Sequence, residues 1–101
     1  MIRASGQIML GNMFVIEDQL HAELQGEFAS FDEALAELRR RASIPWDHEP
    51  NLAPCSSWET CGRSYEIVEY DQVKSPWQVI GRVTVLNVTV QGVKWADGFG
   101  P

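Results

Sequence analysis

Only one stretch of this chain has helical periodicity, and that scarcity limits what it can fold into. Between Ser30 and Ser43 the apolar residues Phe31, Ala34, Leu35, Leu38 and Ala42 recur on one face, while Asp32, Glu33, Glu37 and three arginines occupy the rest. Ser30 followed by Glu33 is a capping box, in which each side chain satisfies a backbone donor that the first helical turn leaves open. Acids lead and bases close the segment, the order that the helix macrodipole favours. Ile44 precedes Pro45 and is therefore pushed out of helical geometry, which ends the element.

The other regular signals are those of strands. Met13 to Asp18 is an apolar run rich in strand formers and reads as a strand buried on both faces. From His21 to Ala29 the alternation is clean, with Ala22, Leu24, Gly26 and Phe28 on one face and His21, Glu23, Gln25 and Glu27 on the other. That is a half-buried antiparallel strand, which leaves His21 solvated on an acidic face. Ser64 to Asp71 carries bulk on both faces. Gln72 to Pro76 is a loop, and Val83 to Gln91 is rich in β-branched residues. Its apolar phase shifts between Val85 and Leu86, which indicates a bulge or burial on both sides. Gln91-Gly92 marks a turn, after which Val93 to Trp95 can pair briefly.

This order predicts an α+β fold: a two-layer ββαββ domain, one helix packed on a four-stranded, mostly antiparallel sheet, with a β-grasp arrangement as the first topology. The 101 residues suit a single domain. Residues 1–12 are expected to form a loose arm, with Met9 and Met13 as alternative starts. Residues 44–63 are expected to form a long structured loop, and 96–101 a frayed tail. A single helix covers one sheet face, yet three of the four strands are apolar on both. Something must cover the second face. The candidates are the central segment, folding Trp46 and Trp58 across the sheet, and a second copy of the chain. Trp46, Trp58, Tyr65 and Tyr70 are accordingly the candidate interaction residues.

Charge narrows the function classes. The net charge of −6 is spread along the chain, and no segment is basic enough to neutralise a phosphate backbone, so general nucleic-acid binding is not expected. The Arg39-Arg40-Arg41 run reads as a helix C-terminus. Met1 to Leu10 lacks the apolar run of a signal peptide, and no stretch approaches the ~18 apolar residues of a membrane span. A cytoplasmic location with reduced thiols is the expectation.

Groups able to do chemistry concentrate in Ile44 to Arg63, which holds both cysteines, His48, Trp46 and Trp58. Loops of about this length without regular structure are usually functional or mobile. Four readings are open. His48, Cys55 and Cys61 could hold zinc, with His21 or Asp47 as fourth ligand, although Cys-x5-Cys is not a usual zinc spacing. Cys55 and Cys61 could form a disulfide, redox-active or structural. One cysteine could act as a nucleophile with His48 as base. Alternatively, both thiols are small buried hydrophobes, with the tryptophans as core anchors. The last is the bland account and needs no cofactor.

The pairing of SFDEALAELRRRASIPWD with APCSSWETCGRSYEIVEYD resembles a small group of bacterial proteins with no assigned activity, over most of residues 13 to 95. The resemblance implies a bacterial cytosolic origin and brings no catalytic or binding residues. Together these readings lead to a non-enzymatic interaction module that self-associates or docks a protein partner through an apolar sheet face rimmed by carboxylates. The alternative is a small cysteine- or metal-dependent activity, zinc or redox, in the 44–63 loop.

Overall fold

The computed structural model describes residues 11–54 and 62–100. Its elements are β1 (Asn12–Asp18), β2 (Glu23–Phe28), α1 (Phe31–Arg41), β3 (Gly62–Asp71), β4 (Gln78–Thr89) and β5 (Gly92–Trp95). They form an α+β domain with one helix on a five-stranded sheet of order β2-β1-β3-β4-β5. Every pairing is antiparallel. Two expectations are corrected here. The brief pairing after Gly92 is a fifth strand rather than an appendage to four, and a β-grasp arrangement, which needs a parallel central pair, is not adopted.

The helix forms as its sequence dictates. Ser30 Oγ accepts from Glu33 N at 3.1 Å, and Glu33 reaches back to Ala29 N at 3.2 Å, one residue before the cap. Ala34, Leu35 and Leu38 are buried against Ile16, Tyr65, Ile67, Leu86 and Val88 on the facing side of the sheet. Each fully buried Leu or Ile in this layer contributes about 1.5–3 kcal/mol. Register explains which residues share the face: Ile16 sits opposite Ile67, and Tyr65 opposite Leu86. Since Glu66 then pairs with Thr84, Val85 is the extra residue of a bulge, at the position where the apolar phase of the sequence changes. Both Val85 and Leu86 are fully buried as a result.

Away from the helix, Val15 and Val68 face each other across β1 and β3, and both are buried, as is Glu66. The centre of the second face is therefore not the exposed apolar surface that the strand patterns suggest. Nor does Trp46 lie across it. Trp46 packs against the helix-side core, in a segment tied down by Asn51, whose Nδ2 donates to the Arg41 and Ile44 carbonyls at 2.9 and 2.8 Å. Trp58 lies outside the described residues.

Two further departures concern the periphery. In β2 a register shift between Ile16 and Glu17, together with Gly26 at φ +151°, breaks the alternation, so Leu24 turns outward and is 68% exposed. A side chain at Gly26 would also meet the Phe28 ring, at 3.1 Å. At the other end, the expected frayed tail is docked: Phe99 packs on Phe31 with ring centroids 6.1 Å apart, and its N–H donates to Ala96 O at 3.1 Å. Among the described residues no helix is long and apolar enough to cross a membrane.

Candidate functional site

β4 is the strand whose sequence and neighbours disagree in length. β3 pairs with it along its whole course, from Gln78 to Thr89, whereas β5 pairs only with Leu86 to Thr89. The last backbone bond on that side is Ala96 N to Val85 O, at 2.8 Å. On that side Gln78 to Thr84 meets no strand among the described residues. Seven residues at ~3.4 Å each give an open edge of about 24 Å.

The side chains there are exposed and apolar. Val79 and Ile80 are 48% and 54% exposed, and the preceding loop adds Trp77 and Val73. A second bulge contributes, because Glu69 pairs with Gly81 and Tyr70 with Val79, leaving Ile80 as the extra residue. Natural edges are usually guarded by lysine, proline or inward-pointing charge. This one has no proline, and its sole charge, Arg82, is turned back across the sheet to the buried Glu66 at 2.8 Å. A hollow of about 190 Å³ opens beside the edge on the helix side, floored by Phe14, Phe31 and Ile67 and bounded by Glu69, Gly81, Arg82 and Val83.

Tyr70 anchors the hairpin end. Its ring lies 5.9 Å from that of Trp77, and its hydroxyl donates to Glu17, which pushes the Tyr70 pKa up to about 12 because ionisation would set a phenolate against a carboxylate. Tyr65, the other tyrosine singled out in the sequence, is fully buried. Its hydroxyl donates to Asn51 Oδ1 at 2.9 Å, and burial raises its pKa. Tyr65 is a core residue and offers nothing to a partner.

No family model, curated protein or solved structure matches this chain.

Charge follows the same geography. Residues 72–96 contain no aspartate or glutamate and three bases, Lys74, Arg82 and Lys94, whereas the remainder of the chain carries all fourteen acids. The open edge lies in the longest span free of carboxylates, a signal present in the sequence but hidden when charge is summed over larger segments.

The chemically suggestive groups of the sequence lie elsewhere. His48 is two-thirds exposed, with Nδ1 3.0 Å from Asp47. Cys55 and Cys61 lie outside the described residues, so the zinc, disulfide and nucleophile readings rest on residues that are not described. Among the described residues no group of three or more His, Cys, Asp or Glu side chains is placed to hold a metal. His21 does not sit on a wet face as expected. Its Nδ1 is 2.6 Å from the fully buried carboxylate of Asp18.

Asp18 is the centre of a polar knot that sequence reading missed. It accepts from Leu20 N and Ser64 N, both at 3.1 Å, and from Arg63 Nη1 at 2.9 Å. Arg63 also reaches Glu23 and donates to Leu52 O at 2.7 Å. Burial opposes the charge on Arg63, but its bonds to Glu23 and Asp18 outweigh this and raise its pKa. With every Asp18 oxygen engaged by the fold, this cluster joins β1, β2 and β3 rather than presenting a reactive group. Arg41 does the same for the helix: it is buried, bonded to Glu37 and to both the side chain and backbone of Gln25, and stacked 5.2 Å over the Tyr65 ring.

Proposed function

We propose that this protein is a non-enzymatic interaction module whose docking element is the open half of β4, not the broad sheet face. A single observation carries the reading: Gln78 to Thr84 combines a backbone edge unpaired among the described strands with exposed Val79 and Ile80, and its one charge, the half-exposed Arg82, is paired with Glu66 of its own sheet. An extended segment added to such an edge gains main-chain hydrogen bonds for affinity, and alternate side-chain positions for selectivity. The hollow beside Gly81 is one such position. The polar clusters support this by exclusion of a different kind, since Asp18 and Arg41 are engaged in holding elements together.

Placing a photoreactive amino acid at position 80, and separately at the exposed but distant Leu24, tests the reading. Irradiation in cells should give a discrete adduct from position 80 and none from position 24. No adduct from position 80, or equal adducts from both, would sink it.

A further inference from the structure

We infer that the groove between the C-terminal end of α1 and β5 binds a single carboxylate carried on an apolar body, with Arg39 as its counter-ion. The site does not depend on the open β4 edge. Three features lead to it.

The first is the groove itself. It has a volume of about 400 Å³ and is lined by Arg39, Ala42 and Ser43 at the helix end, Val93 and Trp95 of β5, and Phe99 of the docked tail. That volume lies within the ~300–1,000 Å³ common to small-molecule sites. The walls are mainly apolar, and they are set by packing already described: Phe99 is held in place against Phe31. Val93 remains 39% exposed, so part of the apolar wall is left in water.

The second is charge. Arg40 and Arg41 both bond to Glu37. Arg39 is the third cation of the run, and among the described residues it makes no ion pair. No acid occurs in residues 38–46 or 72–96, the stretches that supply every lining residue except Phe99. An unpaired cation therefore stands beside apolar surface in a chain of net charge −6.

The third is the kind of anion that fits. A planar guanidinium presents a fork of donors matched to the two oxygens of a carboxylate. Ser43 adds no donor, because its Oγ–H is given to Arg40 O at 2.8 Å. The groove adjoins the negative end of the α1 dipole, which opposes a second negative charge. One charge on an apolar body satisfies these constraints, whereas a phosphate, with more charge and no apolar part, does not.

Titration of the isotope-labelled chain with octanoate, octanol and octylamine, followed by amide and indole NMR shifts, tests this. Octanoate should bind saturably, with shifts centred on the Trp95 indole and on the amides of Ser43, Val93 and Phe99. Octanol and octylamine should bind about tenfold more weakly, because neither accepts a charge-assisted bond from Arg39. Arg39→Gln should weaken octanoate about tenfold and leave octanol unchanged. Arg40→Gln, which removes a guanidinium already paired with Glu37, should change octanoate affinity by less than about threefold. Both arginines are exposed, so neither change threatens folding, and circular dichroism verifies that. Absence of saturable shifts, equal affinity for octanoate and octanol, equal loss in the two variants, or shifts centred on Val79 and Ile80 would each overturn the assignment.

Discussion

Arg82 turns away from the strand edge it belongs to, and its Nη1 donates at 2.8 Å to Glu66, a carboxylate whose side chain is only 3% exposed. The arginine, itself half exposed, thus keeps a buried anion paired and has its own charge balanced within the sheet. Arg82→Ala should lower stability by about 1–3 kcal/mol in urea unfolding, because the Glu66 carboxylate is left unsatisfied. Adding Glu66→Leu to that variant should recover part of the loss, since removing both partners costs less than removing one.

Asn51 is predicted to matter through its amide nitrogen as much as its oxygen. Its Nδ2 closes two carbonyls at the C-terminal end of α1, while Oδ1 accepts from Tyr65. Asn51→Asp preserves the acceptor but brings a carboxylate to two carbonyl oxygens. It should destabilise at least as much as Asn51→Ala, by about 2–3 kcal/mol in thermal or urea unfolding.

Acid sensitivity should trace in part to Glu37. Hydrogen bonds from Arg40, with those from Arg41, hold its pKa at about 2 instead of 4.5, against the opposing effect of partial burial. A carboxyl whose folded pKa is depressed stabilises the fold fully above its unfolded value, and the contribution disappears as pH falls from about 4.5 toward 2. The urea midpoint should therefore drop between pH 6 and pH 2.5 in the native chain, and drop less in Glu37→Gln.

Alkaline titration should show the opposite sign. Tyr70 has its pKa raised to about 12 by its bond to Glu17, and burial raises that of Tyr65. A raised folded pKa gives stability that is complete below the unfolded value of 10.0 and is lost as pH climbs through 12. Absorbance at the tyrosinate band should stay flat beyond pH 10 in the folded protein. Glu17→Gln should bring one tyrosine back toward its ordinary range.

Local signals in the sequence were sufficient for α1 and for placing an irregularity at Val85 and Leu86, though not for choosing between a bulge and burial on both sides, because a capping box and a phase change in β-branched residues act over a few neighbouring positions. They were insufficient for β4, which begins at Gln78 instead of Val83: Gly81 and Arg82 interrupt the apolar run, and only pairing with β3 extends it. The same limit hid the open edge, which exists because two strands of unequal length meet. It also misplaced Leu24 and His21. A bulge in the β1–β2 pair turned Leu24 outward, and Asp18, three residues back at the end of β1, drew His21 inward once Ser64 and Arg63 of β3 had buried it. Arg41 looked like one cation of a solvated run, yet it is the buried clamp between α1 and β2.

The irregular β2 closes the far side of the sheet to added strands. Its bulge, the positive φ of Gly26 and the carboxylates of Glu23 and Glu27 are devices that resist strand addition. Strand addition to this sheet is thereby confined to the β4 margin, and a sheet that can extend from one side alone does not propagate into a fibre.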